Sequence, residues 1–339
     1  MNRPARLVIS LDFELFWGVR DHRELATYGR RLLGVRRAIP AMLELFQAYG
    51  VRATWATVGF LFCRDREELL RSLPRRLPAY EDLRLSPYSH VAEIGRDETE
   101  DPYHFAPSLL DRIAATEGQE IASHTFSHYY CLEEGQNGLD FEADLKAAIR
   151  VARDRGILLR SLVFPRNQVR REYLGICHRL GISAYRGAAQ AWPYRTHRAG
   201  DNHAFRRLAR FTDALIPLTG TSCVVQGSPP RQWPRNVPAS RFLRPFAGRR
   251  PLLARRQRHR IFGELDFAAR TGGIYHLWWH PHNFGIDLPA HLSELEHILR
   301  RFDGWRRLGR MESATMHDVV MDRRVDLVDE PRHTGETRV

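Results

Sequence analysis

The chain has 339 residues, enough for one (β/α) barrel or two average domains, and no run approaches the roughly 18 apolar residues that a membrane-spanning helix requires. Hydrophobic residues make up 43% of the chain and charged residues 27%, which is typical of a soluble globular protein. The formal net charge of +12 could attract nucleic acid, an anionic membrane or an acidic substrate, but only one of the 52 basic residues is a lysine, and such an arginine excess is more typical of codon bias than of selection for a partner.

Alternating strands and helices are the main pattern along the chain. LVISL (residues 7–11) is a continuous apolar run, which predicts a strand covered on both faces. Apolar residues at helical spacing from Ile39 to Phe46 predict a helix that ends at Gly50, before the strand-like VRATWATV. The same order recurs in FEADLKAAIRVARDRG before SLVF and in VRREYLGICHRLG before ISAYR, and GGIYHLWW is a last predicted strand. Such alternation predicts parallel strands joined by helices, in an α/β layer or a barrel.

Residues 1–320 are predicted to form a single domain. Between about residues 195 and 260 the chain is rich in Pro, Gly and Arg with weak periodicity, which predicts long loops across one end of the barrel, or a lid. Residues 321–339 have the composition of a polar C-terminal tail.

The cysteines and the start of the chain both bear on the compartment. Four cysteines lie far apart without any CxxC pair, which favours unpaired thiols and a reducing environment: Cys63, Cys131, Cys177 and Cys223. Asp12 and Glu14 interrupt the first apolar run, so we expect no secretory signal. Together these features predict a cytoplasmic protein.

Positive charge is densest from Arg241 to Arg260, where eight arginines occur without an acidic residue. Such density predicts a local face that attracts anions, and a peripheral contact with an anionic membrane is one form it could take. No recognisable nucleic-acid motif is present, so nucleic acid is not an expected partner.

Polar residues follow the predicted strands. In a parallel α/β protein the carboxyl ends of the strands meet at one edge, where chemistry collects. Six residues fall at or just past such ends: Asp12, Glu14, His124, His128, Arg166 and His280. Each alone has an ordinary structural explanation, such as a solvated rim, a turn or a salt bridge, but their coincidence at one predicted edge favours a functional site.

Two histidines and two acids suit a metal-dependent hydrolase. Asp12 and Glu14 are two residues apart on a strand and therefore face the same side. His124 and His128 with one of these carboxylates would make a three-ligand set for Zn²⁺ or a similar divalent ion, and the other carboxylate could accept a proton from water. These residues alone do not decide which acid has which role.

Four segments, LVISLDFELFWG, GQEIASHTFSHYY, FPRNQ and LWWHPHN, resemble the motifs of the polysaccharide deacetylase family, the NodB-homology group of carbohydrate esterases. The resemblance spans about Leu7 to Phe284, and its second segment is the most specific. It implies an α/β fold, a distorted (β/α) barrel of the polysaccharide deacetylase type, and removal of acetyl groups from N-acetylated amino sugars. The family usually has adjacent aspartates and places its arginine before a proline, whereas here one residue separates the two acids and Arg166 follows Pro165.

The resemblance also implies roles for individual residues. Asp12 would be the general base, Glu14, His124 and His128 would hold a divalent metal such as zinc, and His280 would be the general acid. Arg166 would orient the base, and a backbone N–H near Tyr129 would help to bind the oxyanion. His282 competes with His280 for the acid role.

Aromatic residues beyond strand ends are candidates for contact with a sugar. Trp278 and Trp279 alternate across the last strand, so one should face the pocket and the other the helices. We predict substrate contacts at Trp279, Tyr129 and His282, with Trp17 and Trp192 as weaker candidates.

The sequence therefore predicts a metal-dependent deacetylase of an N-acetylated saccharide in surface glycan biosynthesis, with a nucleotide- or lipid-linked substrate. Two alternatives stay open: hydrolysis of a non-sugar amide or cyclic imide, and a non-catalytic module that binds anionic glycan.

Overall fold

A computed structural model describes residues 3–188, 204–216, 220–224 and 233–322. Its nine strands are all parallel to their neighbours. They are β1 Ala5–Phe13, β2 Ala53–Thr57, β3 Glu120–Ser123, β4 Ser161–Val163, β5 Ala184–Arg186, β6 Arg235–Asn236, β7 Arg241–Phe242, β8 Ile274–Trp279 and β9 Met311–Ala314.

Helices follow most of these strands, as the alternation in the sequence predicts. They are α1 Leu25–Leu33, α2 Val35–Ala48, α3 Arg66–Arg71, α4 Pro107–Ala115, α5 Gly138–Asp154, α6 Arg171–Arg179, α7 Ala204–Asp213, α8 Pro251–Thr271, α9 Leu288–Arg307 and α10 Met316–Met321. The predicted stops are confirmed, since Gly50 and Gly156 lie past the ends of α2 and α5 with φ of 61° and 72°. Glycine adopts this left-handed conformation at little cost.

The sheet curls into a distorted barrel around β1. Its order is β6-β5-β4-β3-β2-β1-β8-β7, and β9 pairs with the first half of β1 while β2 pairs with the second half. The segment from 235 to 242 joins the two ends of this order. It pairs with β5 through Arg235 and Asn236 and with β8 through Arg241 and Phe242. The predicted (β/α)-barrel fold is therefore confirmed.

Two apolar layers stabilise the barrel. The larger lies between the sheet and the helices, and alternate residues of β1 such as Leu7, Ile9 and Leu11 are fully buried in it. The smaller lies inside, where Val8 meets Ala56 and Val163, and α10 closes the amino-terminal end with Met316. Because side chains alternate along a strand, Ser10 and Asp12 follow Val8 into the interior.

The segment from 195 to 260 is more regular than predicted. Its described part contains α7, β6, β7 and the first ten residues of α8. The predicted tail at 321–339 lies outside the described residues except for its first two positions. None of the described helices is both long and apolar enough to cross a bilayer.

Candidate active site

Three strands bring the predicted polar residues to one edge of the barrel. Asp12 lies near the end of β1 and Glu14 just beyond it, while His124 directly follows β3 and His280 directly follows β8. The first three are almost fully buried, and the side chain of His280 is 24% exposed. The carboxyl ends of these strands therefore form one pocket edge, as the sequence predicts.

Glu14, His124 and His128 form a buried cluster that could hold a metal ion, with one ligand atom from each residue within 4.8 Å of the others. The Oε2 atom of Glu14 lies 3.4 Å from Nε2 of His124 and 3.2 Å from Nε2 of His128. Two imidazole nitrogens and one carboxylate oxygen are a known ligand set for catalytic zinc.

The hydrogen bonds of both imidazoles favour a cation between these atoms. The Nδ1–H of His124 donates to the carbonyl oxygen of Val163 over 2.8 Å, which directs Nε2 at the Glu14 carboxylate. Burial lowers the pKa of His128 to about 4, so this ring is neutral near pH 7, and its Nδ1 lies 3.1 Å from the Tyr130 hydroxyl. One ring nitrogen of each histidine therefore lies beside the buried Glu14 carboxylate, an arrangement that a divalent cation would stabilise, so the residues fit one.

Asp144 of α5 fixes the loop that carries the two histidines. Its carboxylate accepts hydrogen bonds from the backbone N–H groups of Phe126 and Ser127 and from the Ser127 hydroxyl. The loop needs such support because Thr125 and His128 have φ of 62° and 58°, in the left-handed region. Burial raises the pKa of Asp144 to about 6.

Asp12 is held by an arginine that the sequence did not single out. Two guanidinium nitrogens of Arg186, at the end of β5, donate to the two carboxylate oxygens of Asp12 over 2.7 Å each. Burial raises the pKa of Asp12, but Arg186, His124 and His280 outweigh this effect, and the pKa lies below its usual value. The carboxylate is therefore ionised near pH 7.

A chain of hydrogen bonds fixes Arg186 inside the barrel. Arg186 donates to the Ser10 hydroxyl over 2.9 Å, and this hydroxyl lies 2.8 Å from Nε2 of His276. The Nδ1 of His276 lies 3.0 Å from the carbonyl oxygen of Val237, which can only accept. His276 therefore accepts from Ser10, and the direction of every hydrogen bond in the chain is determined.

The structure contradicts the predicted partnership between Arg166 and Asp12. Arg166 lies in the short 3-10 turn Pro165–Asn167 beyond β4, where it donates to Asp21 and stacks 4.3 Å above the Tyr130 ring. The base is instead held from β5, whose last residue is Arg186. The available signal was the arginine that ends the predicted strand ISAYR, at the same kind of position as the other site residues.

His280 and His282 occupy different environments. The Nε2 of His280 lies 3.5 Å from Oε1 of Glu14 and 3.8 Å from Oδ2 of Asp12. His282 is buried behind it, with ring centroids 4.9 Å apart, and burial lowers the pKa of His282 to about 3. His280 is therefore the more exposed of the two imidazoles, and the predicted substrate contact at His282 is not supported by its burial.

Two of the predicted substrate-contact residues, Trp279 and Tyr129, are buried, and their burial does not support a contact with substrate. Trp279 is fully buried against Phe46 and Phe284, whereas Trp278 shares the side of His280 and stacks 4.2 Å from the Arg186 guanidinium. The reason is the strand alternation, which places residues 278 and 280 on one side.

The ring of Tyr129 lies in the core, and its single hydroxyl proton is shared between Oε1 of Gln136, 3.0 Å away, and the carbonyl oxygen of Asn137, 3.1 Å away. The backbone N–H of Tyr129 already donates to the Thr125 hydroxyl over 2.7 Å and is not directed at an oxyanion. Trp17 is also buried, and Trp192 lies outside the described residues.

Comparisons with known proteins show likeness in fold. No family model and no curated protein matches the sequence. A structure from Mycobacterium smegmatis, assigned as a polysaccharide deacetylase, is similar with a TM-score of 0.58 and 12% identity, covering 98% of this chain and 96% of the other. A second polysaccharide deacetylase structure, from Pseudomonas aeruginosa PAO1, has a TM-score of 0.55 and 11% identity, covering 93% and 90%. The PuuE allantoinase structure has a TM-score of 0.54 and 11% identity, covering 93% and 89%.

These likenesses place the chain in the fold class of the polysaccharide deacetylases, a (β/α) barrel. The observed Glu-His-His cluster is compatible with a metal site in such a barrel.

Proposed function

We propose that the protein is a divalent-metal-dependent deacetylase of an N-acetylated amino sugar. The observation that carries this proposal is the buried cluster of Glu14, His124 and His128 directly beside the ionised Asp12 and the half-buried His280. Similar structures from two bacteria are assigned as polysaccharide deacetylases, which supports the choice of substrate class.

In this proposal Glu14, His124 and His128 hold the metal and Asp12 remains free to act as the base. A bound divalent ion would supply Lewis acidity, which lowers the pKa of water and polarises an amide carbonyl. Zinc suits the donor set best, although cobalt, nickel or manganese could bind the same ligands.

Each remaining residue has a role that follows from its position. Asp12 accepts a proton from the water that attacks the acetyl carbonyl, and Arg186 keeps both carboxylate oxygens in place. His280 donates a proton to the sugar nitrogen as the C–N bond breaks, which releases acetate and a free amine. The Trp278 ring, 5.7 Å from His280, packs against the sugar.

The carrier of the sugar and the compartment belong to the same proposal. All four cysteines are free thiols, which supports a reducing compartment such as the cytoplasm. We therefore propose a nucleotide-linked or lipid-linked saccharide as the substrate, at an intermediate stage of surface glycan assembly.

A ring amide is the second candidate substrate, because one of the similar structures is an allantoinase. Attack on a cyclic ureide or imide would use the same base and the same metal ligands. The two candidates differ in product, since one releases acetate and the other opens a ring.

The test compares both reactions on the same protein. The purified full chain, loaded separately with zinc, cobalt, nickel or manganese, is assayed for acetate release from free, nucleotide-linked and lipid-linked N-acetyl amino sugars, and for ring opening of allantoin and a cyclic imide. We expect acetate release in the wild type and none above background in Asp12→Asn. Ring opening without acetate release would favour the second candidate, and equal turnover by wild type and Asp12→Asn would contradict both.

A further inference from the structure

Helix α8 presents one face that no described part of the protein covers. Leu252, Arg255, Arg256 and His259 lie at positions i, i+3, i+4 and i+7, which is one side of a helix, and all four are exposed. Leu252 has an exposed fraction of 76%. The opposite side of α8 is buried and packs on the barrel: Ala254, Gln257, Ile261, Glu264, Leu265 and Ala268.

Acids in the described part of the chain do not neutralise the charge on this face. Ion pairs there involve Arg249, Arg258 and Arg260 but not Arg250, Arg255 or Arg256. The adjacent Arg249 reaches Asp287 only at 3.8 Å, and its side chain is 70% exposed. The face of α8 is therefore cationic around one exposed leucine.

A short loop connects the candidate site to the start of α8. Phe242, at the end of β7, lies 4.6 Å from Trp278 and 5.8 Å from His280 between ring centroids, and the loop from 243 to 250 leads from there to α8. At Gly248 this loop contacts Asp287, the residue before α9, because a Cβ on Gly248 would lie 2.8 Å from that side chain. The first turns of α8, which carry the basic residues, therefore lie at the same end of the barrel as the candidate site.

We infer that the first part of this face, Leu252, Arg255 and Arg256, together with Arg250 just before the helix, docks on an anionic lipid bilayer. Arginines near such a surface are attracted by the negative headgroups, and an exposed leucine among them can enter the interfacial region. A nucleic acid would be attracted by the same charges but would gain little from Leu252. Docking would bring the pocket to a lipid-linked saccharide. The delivery of a lipid-linked saccharide rests on the proposed function, whereas the docking itself does not.

The test measures cosedimentation of the full chain with vesicles. One set contains phosphatidylcholine and phosphatidylglycerol, and the other contains phosphatidylcholine alone. We expect binding to the anionic set only, a decrease of about 10²-fold in the partition coefficient for the triple variant R250Q/R255Q/R256Q, and a smaller decrease for Leu252→Ser. Added salt should weaken the binding.

The matched control removes the same charge from the opposite edge of the barrel. Arg153 lies in the last turn of α5, Arg160 precedes β4 and Arg310 precedes β9, so R153Q/R160Q/R310Q should bind like the wild type. Three results would overturn the inference. The first is no binding to anionic vesicles, and the second is an equal loss of vesicle binding in the control variant. The third is that the protein binds single-stranded RNA but not vesicles, and that the triple variant abolishes this RNA binding.

Acetate release from a soluble short N-acetyl saccharide separates this inference from the proposed function. The four docking residues do not contact the candidate site, so the triple variant should retain wild-type turnover of that soluble substrate. Turnover without vesicle binding would contradict only the docking, whereas vesicle binding without any turnover would contradict only the deacetylase.

Discussion

Arg186 and Asp12 form a bidentate ion pair inside the barrel, with two N···O distances of 2.7 Å. This pair is the main reason why the pKa of Asp12 is lowered although its burial raises it. In Arg186→Gln the positive charge that counteracts the effect of burial is lost, so the pKa of Asp12 should rise. Since the base must be ionised, we expect the acidic limb of the kcat/KM profile to move to higher pH, with a loss of about 10²-fold at neutral pH from misorientation. The measurement is the pH profile of acetate release.

Arg166→Gln is the matched control for this change. Arg166 pairs with Asp21 and stacks on Tyr130 without contacting Asp12. In the Arg166→Gln variant, the acidic limb of the kcat/KM profile should stay at the wild-type pH. A shift in Arg166→Gln equal to that in Arg186→Gln would contradict the assignment of Arg186.

The fold could be predicted from the sequence because its signals are local. Apolar runs predicted β1, β2, β4, β5 and β8, and glycines predicted the ends of α2 and α5. The first half of α8 was missed because its buried side is not consistently apolar. Gln257 is buried there and bonds to the backbone of Arg244, so the apolar period is interrupted.

The sequence could predict only those site residues that lie at the ends of predicted strands. Asp12, Glu14, His124 and His280 meet because parallel strands end at one edge, which the sequence pattern reveals. The residues that bond to these side chains could not be predicted from the sequence in the same way. The pairing of Asp12 with Arg186 spans 174 positions along the chain and depends on the closure of the barrel, which no local pattern encodes.

Glu14 and Asp12 should differ in their effect on metal binding. Glu14 lies within 3.4 Å of both ligand nitrogens, whereas both oxygens of Asp12 are engaged by Arg186. We expect Glu14→Gln and His124→Ala to lose most of the bound metal, and Asp12→Asn to keep it while losing turnover. Elemental analysis of the purified variants checks this prediction. Metal loss in Asp12→Asn with retention in Glu14→Gln would reverse the two roles.

Trp278 and Trp279 should respond differently to truncation. Trp279 is fully buried, so Trp279→Ala should reduce the free energy of unfolding by about 3–5 kcal/mol. Trp278→Ala removes a ring beside His280 and Arg186, so we expect a raised KM for the sugar with a smaller loss of stability. Urea denaturation and steady-state kinetics on both variants distinguish these outcomes. An unchanged KM in Trp278→Ala would exclude this ring from substrate binding.

Tyr130 and Tyr129 provide a neighbouring pair for the last prediction. The Tyr130 hydroxyl lies 3.1 Å from Nδ1 of His128, and the ring is additionally held by Arg166 and Tyr80. Tyr130→Phe keeps the ring but removes the hydroxyl that orients His128, so we expect metal affinity to fall about 10–100-fold with the fold intact.

Tyr129→Phe removes a hydroxyl that instead bonds to Gln136 and Asn137 in the core. This change should lower the free energy of unfolding by about 1 kcal/mol and leave metal affinity unchanged. Competition with a chromogenic zinc chelator measures the affinity, and urea denaturation measures the stability. Equal metal affinity in wild type and Tyr130→Phe would mean that the His128 ring is held by its loop alone, through the hydrogen bonds to Asp144.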